Sequence, residues 1–264
     1  MASEDDAREA RDPAPAVSRS IRLLGILAEA ERPRTLTELA VDLGLAKSST
    51  ANLCLALEAG GMVERTALGY RLGIRTAELG GAYAAQFNQI REFYSVCEKS
   101  PTLSAELVQV AVLDGADALY LARYEGSRSL RLGTPLGSRL PAALSATGRA
   151  LLATMSDAEV VALIGADAVF PALTERSTTT VPGLLEALAT ARRRGWALDA
   201  EESFRGIVGV AVSLDGWAPS DPPLALGVAI RAMDADYERI ERVGQALQDA
   251  AAALTNPFSA TARR

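Results

Sequence analysis

The residues from Ala46 to Leu57 are the ones whose types suit direct chemistry with a nucleic acid. On a helix, Ala46, Thr50, Leu53, Cys54 and Leu57 form an inner face, while Lys47, Ser48, Ala51, Asn52 and Leu55 point away. The outward set holds small side chains, one cation and one amide, and no acid occurs between Ala46 and Leu57. Small side chains let a helix approach base edges. An asparagine amide pairs with adenine through N6 and N7, whereas a carboxylate would repel phosphate.

Such a helix needs a support that aims it. Just upstream, Leu36, Leu39, Ala40 and Leu43 recur at helical spacing, with Thr35 and Glu38 placed for a capping box and Gly44 for a left-handed stop. Two short helices around a tight turn read as a helix-turn-helix, the second helix being the one that enters a major groove. Before them, Val17 to Ala30 carries Ile21, Leu24, Leu27 and Ala28 on one face; Ser18 or Ser20 is placed to cap it, and Arg19 and Arg22 lie at its start. After them, Ala59-Gly60-Gly61 ends the helix, and Met62 to Arg65 and Tyr70 to Leu72 alternate around a short turn, the pattern of a β-hairpin. Three helices and a hairpin in about sixty residues make a winged helix. The candidate DNA-contacting residues are Arg19, Arg34, Lys47, Ser48, Ser49, Ala51 and Asn52, with Arg65 and Arg71 flanking the wing. The same pattern also suits a winged helix that binds only protein, and wing arginines also serve as plain surface charges.

Composition narrows the alternatives. The chain has 264 residues and no histidine, which removes imidazole bases, histidine triads and nearly all zinc sites. Cys54 and Cys97 have no closely spaced partner, and Cys54 falls on an inner helix face, so buried thiols in a reducing cytosol are expected. No apolar run approaches a membrane span, and the charged first residues lack the apolar core of a signal peptide. The net charge of −6 is unevenly spread. Pro13 to Arg75 holds eight Lys/Arg against six acids, +2, which leaves 19 against 27, −8, for the rest. A mildly basic head on an acidic body is compatible with DNA binding, since only the local patch meets phosphate.

Further along, Leu72 to about Ser95 has a broad apolar stripe of Ile74, Ala77, Leu79, Tyr83, Phe87, Ile90 and Phe93, interrupted at Gly80-Gly81 where a bend is expected. Strands are expected at Leu107 to Leu113, Ala118 to Ala122, 129–133, Gly206 to Leu214 and Leu224 to Arg231. Helices are expected after Ser145, from Ser156, over Val181 to Arg194 and over Tyr237 to Leu254. The mixture is α+β.

From about Val17 to Ile230 the chain resembles the IclR family of bacterial transcriptional regulators. SIRLLGILAE, LTELAVDLGLAKSST, LEAGGMVER and GYRLGIRTAELG stand in the family's order and spacing. The resemblance implies a disordered leader over 1–15, a winged helix-turn-helix over 16–73, a linker helix over 74–95 that helps pair two subunits, and a GAF-like or profilin-like domain over 96–264 for effector binding and oligomerisation. Members often carry an arginine where this chain has Asn52, so the operator it reads differs.

The resemblance also implies an effector site at Leu132, Leu140, Ala146, Thr147, Asp199, Ile207, Gly209, Val228 and Ile230. Family members often have a cysteine at Gly209, and some have serines at Val228 and Ile230. Their loss implies a roomier, more apolar pocket, and hence an aromatic or apolar carboxylic acid rather than a two- or three-carbon oxo-acid. The implied protein is a cytoplasmic, dimeric or tetrameric regulator of a near-palindromic operator, most simply a repressor of a catabolic operon released by its effector. It needs no cofactor, metal or membrane. A ligand-dependent activator is the alternative within the family. An enzyme on the sensor fold is the remote one, since Ser145, Thr147 and Cys97 have no histidine to activate them.

Overall fold

A computed structural model describes residues 12–84, 87–128, 134–217 and 221–255. The chain divides into two compact units, Met1–Tyr83 and Ala84–Arg264.

The first unit begins with helix α1 (Pro15–Glu29), followed by α2 (Leu36–Leu43) and α3 (Lys47–Ala59). The sequence places the start of α1 at Val17, but it begins two residues earlier. Proline at the first position supplies the helical φ and needs no donor, so Ser18 and Ser20 lie inside the helix and Ser20 bonds back to the Ala16 carbonyl. The expected capping box is present on α2, with Thr35 and Glu38 bonding reciprocally. Gly44 closes α2 at φ 67°, a conformation that favours glycine, and its N–H and that of Leu45 take up the last carbonyls. Leu23, Leu27, Leu39, Leu43, Cys54, Val63 and Tyr70 form the core.

The wing is an antiparallel pair, β1 (Val63–Thr66) and β2 (Gly69–Leu72). Arg34 adds a third rung, exchanging both backbone hydrogen bonds with Tyr70 at 2.8 Å. That rung explains Gly69, where a Cβ would lie 2.4 Å from the Arg34 carbonyl oxygen. Helix α4 (Ile74–Ala84) follows and is continuous through Gly80 and Gly81. The expected break at the glycines is therefore not there. A new helix, α5 (Asn88–Lys99), carries the rest of the stripe, and its Phe93 and Cys97 belong to the core of the second unit.

The second unit is built on β3 (Leu107–Asp114), β4 (Asp117–Glu125), β5 (Arg139–Pro141), β6 (Ala197–Ala200), β7 (Ile207–Leu214) and β8 (Leu224–Arg231). They form one antiparallel sheet in the order β5-β4-β3-β8-β7-β6. Helices α6 (Ala146–Leu152), α7 (Asp157–Ile164) and α8 (Val181–Arg194) lie between the two halves of the sheet in sequence, and α9 (Tyr237–Leu254) closes it. On one face α5 and α9 cover Val108, Val110, Val112, Val210, Val212, Leu226 and Val228. On the other, α6 lies against Ala211 and Ala225 through Ala146 and Ala150, and α7 and α8 pack around it. Alanine on both sides lets α6 approach the sheet closely. Gly148 is the extreme case, since a Cβ there would lie 2.2 Å from the Ala142 Cα. The α+β expectation holds. The strand expected over 129–133 lies outside the described residues, and the short edge strands β5 and β6 were not foreseen.

Candidate functional sites

Helix α3 is anchored by Thr50 and Cys54, both fully buried, with Leu53 and Leu57 partly so. Burial raises the Cys54 thiol pKa, as befits a core side chain rather than a reactive one. Anchoring on that side turns Lys47, Ser48, Ser49 and Asn52 outward, exposed, with Ala51 half-buried beside them. The N-cap, Ala46, has no side chain to cap the helix, and the first turn holds no acid. Its leading amides are thus open, at the positive end of the helix dipole.

The arginines are less free than their positions suggest. Arg71 bonds Glu64 across the wing, at 3.0 Å from Nε and 3.1 Å from Nη2. Arg34 holds Asp42 at 2.5 Å. The Arg65 guanidinium lies 5.9 Å from the Tyr70 ring centroid, within cation–π range. Arg19 is half-buried on α1.

The second unit contains a cavity of about 40 Å³ between α6 and the sheet, lined by Gln109, Tyr120, Leu140, Ser145, Ala146, Thr147, Asp199, Ser203, Phe204, Ile207, Gly209, Val210, Gly227, Val228 and Ala229. That is room for about three water molecules. Ser145 caps α6 by accepting from the Gly148 N–H, and the amides of Ala146 and Thr147 donate to no described residue. The Tyr120 and Thr147 hydroxyls meet at 3.1 Å, and burial pushes the Tyr120 phenol up to about 12.

Tyr120 reaches this cavity because of a fault in the sheet. The β3–β4 register shifts between Val110, opposite Ala122, and Ala111, opposite Tyr120, which leaves Leu121 as an extra residue. Ala122 therefore enters the main core, while Tyr120, two residues earlier, faces α6.

Among the described residues, Asp199 is the only acidic or basic side chain on the cavity wall. Its Oδ1 accepts from the amides of Glu202 (2.7 Å) and Ser203 (3.2 Å), and it is buried. Burial raises its pKa, and the bonds from Ser203 and Glu202 and the charge of Arg149 only partly offset this. Glu202 in turn clamps Arg149, at 2.5 and 2.7 Å, and the guanidinium also bonds the Ala143 and Leu198 carbonyls. Among the described residues no group of three His, Cys, Asp or Glu is arranged to hold a metal ion, and no helix is long and apolar enough to cross a membrane.

Of the effector positions expected from the sequence, Leu140, Ala146, Thr147, Asp199, Ile207, Gly209 and Val228 line this one cavity. Leu132 lies outside the described residues. Ile230 does not line the cavity. On β8 the side chains of Val228 and Ile230 enter the main core, and the alternate residues Gly227 and Ala229 face α6. The two positions expected to carry the family's serines thus lie on the core-facing side of β8.

The cavity is also not roomy. A Cβ on Gly209 would already touch Ala146 Cβ at 3.0 Å and Asp199 Cβ at 3.3 Å. Gln109, Tyr120 and Ser203 bring polar groups that were not foreseen. Strand alternation could have found Gly227 and Ala229; no sequence signal marks the bulge that delivers Tyr120.

Two family models match the chain: the IclR helix-turn-helix domain over residues 16–67, and the bacterial transcriptional regulator IclR C-terminal domain over residues 82–256. The acetate operon repressor of Salmonella typhimurium is 27% identical, covering 93% of this chain and 90% of its own length. A transcriptional regulator from Rhodococcus sp. RHA1 superposes with a TM-score of 0.79 at 26% identity, covering 93% of this chain and 98% of that one. An IclR homologue from Microbacterium hydrocarbonoxydans, complexed with 4-hydroxybenzoate, has the same fold, with a TM-score of 0.77 at 22% identity over 93% of this chain and 99% of that one.

Proposed function

The chain belongs to the IclR family of bacterial transcriptional regulators, a non-enzymatic family of DNA-binding proteins, and from that premise we propose that it is an effector-released repressor. In this reading α3 enters the major groove, with Ser48, Ser49, Ala51 and Asn52 towards the bases, and Lys47, Arg19, Arg34, Arg65 and Arg71 towards phosphates. The open, acid-free start of α3 supports it. Two copies read a near-palindromic operator. Helix α4 supports pairing, since none of its residues with a described side chain is buried and it exposes Ile74 (76%), Leu79 (48%) and Tyr83 (42%).

The effector in this reading is a small carboxylic acid that also carries a hydroxyl or amide donor, seated in the α6 cavity. One observation carries it: the Tyr120–Thr147 hydroxyl pair, the unpaired Ala146 and Thr147 amides and the Asp199 carboxyl converge on a single buried space. Amides and hydroxyls suit the acid's oxygens, and Asp199 accepts the donor. Leu140, Phe204 and Ile207 cover an apolar body. Burial holds Asp199 towards its neutral form, which lessens repulsion of an anionic ligand. 4-Hydroxybenzoate, the ligand of the structural homologue, has this chemistry, and its ring needs more room than the cavity's 40 Å³. Effector binding shifts DNA affinity by a coupling of about 1–3 kcal/mol.

Thermal-shift screening tests the effector class. Stabilisation by 4-hydroxybenzoate or related hydroxy acids, lost in Asp199→Ala, is expected. Stabilisation by glyoxylate or pyruvate alone, with none by hydroxylated aromatic acids, contradicts it.

A further inference from the structure

We infer that Leu55 reads sequence, by packing on the C5 methyl of a thymine beside the base pair that Asn52 contacts. The inference rests on the DNA-reading role of α3 and adds a base identity to it.

Helical geometry places Leu55 where bases lie. At 100° per residue, Ser48, Asn52, Leu55 and Ala59 fall within an arc of about 60° on the side opposite the buried Thr50 and Cys54. All four are exposed, Leu55 at 59%. A lone exposed leucine on an ordinary surface needs no explanation. This one occupies the middle of the groove-facing stripe, flanked by Ala51, Ala56 and Ala59, which are too small to hold the helix away from the DNA.

The chemistry then selects the base. Leucine offers no donor or acceptor, so it gains nothing from the polar edges of guanine, cytosine or adenine. In the major groove only thymine presents an apolar group, its C5 methyl. Asn52 and Leu55 are three residues apart, hence neighbours on the helix surface about 5–6 Å from each other. Successive bases are about 3.4 Å apart along a strand. The two side chains therefore meet the same or the next one or two base pairs, and the half-site combines an adenine read by Asn52 with a thymine read by Leu55.

The full-length chain first selects its preferred duplex from a random double-stranded library. Each thymine of that duplex is then replaced in turn by deoxyuridine, which removes only the methyl, and affinities are measured for the native protein and for Leu55→Ala. Removing one methyl from the apolar contact weakens native binding about 3- to 5-fold at one thymine per half-site. The same replacement leaves Leu55→Ala unaffected. Leu55 lies outside the core, and the deoxyuridine series on the native protein needs no variant to fold. Deoxyuridine without effect at every thymine overturns the inference while the DNA-reading role stands, as does an equal loss in Leu55→Ala. Recovery of no preferred sequence overturns the DNA-reading role itself, and the inference with it.

Discussion

Arg149 and Glu202 form a buried bidentate ion pair, and Glu202 is also the residue whose amide caps Asp199 at 2.7 Å. The Asp199 carboxyl on the wall of the α6 cavity and the acidic partner of a buried ion pair thus share one turn. That turn is tied down from outside: Thr174 Oγ1 donates to the Glu201 carbonyl, Ser177 Oγ to the Glu202 carbonyl, and the Thr178 N–H to the Glu202 carboxylate. Glu201 sits at φ 65°, unusual for a residue with a side chain, which these bonds help to hold in place.

Glu202→Gln should destabilise the second unit by about 3–5 kcal/mol, because it strands a buried guanidinium. The double variant Arg149→Met/Glu202→Leu should cost much less, since no uncompensated charge remains. Both tryptophans, Trp196 and Trp217, belong to the second unit, so urea unfolding followed by their fluorescence reads that unit directly. A double variant at least as unstable as the single one would contradict this account of the pair.

The titration of Asp199 gives a prediction with a definite sign. Its folded pKa is raised by burial, so its contribution to stability is full below the unfolded pKa and is lost as pH rises through the folded one. Glu202 behaves oppositely. Burial raises its pKa, but the bond and charge of Arg149 and the contacts of Thr178 outweigh that, so its contribution is lost as pH falls. Asp199→Asn keeps an oxygen to accept from the two amides and removes the buried charge. Its melting temperature relative to the native chain should therefore increase as pH rises from the ordinary aspartate range, about 4, towards neutrality. A difference that is flat or decreasing with pH would refute the burial argument.

Two glycines should respond in opposite directions. Gly148→Ala forces a methyl against the Ala142 backbone, and should destabilise by about 1–3 kcal/mol or more. Gly80→Ala lies within α4 with no atom within 4 Å of the new Cβ, and should stabilise by about 0.4–1 kcal/mol. Thermal melts followed by circular dichroism distinguish them. Loss of stability in Gly80→Ala would mean that the glycine is needed for something a continuous helix does not provide.

On the DNA side, Glu64→Gln should strengthen binding to all duplexes, because it releases Arg71 from the pairing across the wing. Arg71→Ala should weaken all sequences alike and lower the salt slope by about one, while Asn52→Ala should relax preference at one position. Gel shifts on matched and mismatched duplexes separate the three. An unchanged affinity in both Glu64→Gln and Arg71→Ala would remove the wing from the interface.

The sequence made the first unit legible nearly in full. Its helices are strongly patterned and α2 is locally capped at Thr35, Glu38 and Gly44, so the information lies within a few residues. In the second unit the central strands were legible from apolar alternation. The cavity was less so, because it depends on which face each strand turns inward. On β8 the side chains of Val228 and Ile230 turn into the main core while Gly227 and Ala229 face α6, and the bulge at Leu121 that delivers Tyr120 has no turn residue to announce it. The short strand β6, which carries Asp199, is four residues of an edge strand, ALDA, with little β propensity of its own. Its pairing to β7 and its position beside α8 supply what the local sequence lacks.

The most direct test of the account is equilibrium binding of the full-length chain to the DNA upstream of its own coding sequence, against an unrelated duplex, between about 50 and 200 mM salt. The account predicts tighter binding to the upstream duplex, weakening steeply with salt, with the preference over unrelated DNA reduced in Asn52→Ala. Equal binding to both duplexes, or a preference untouched by Asn52→Ala, would contradict the claim that α3 reads the operator.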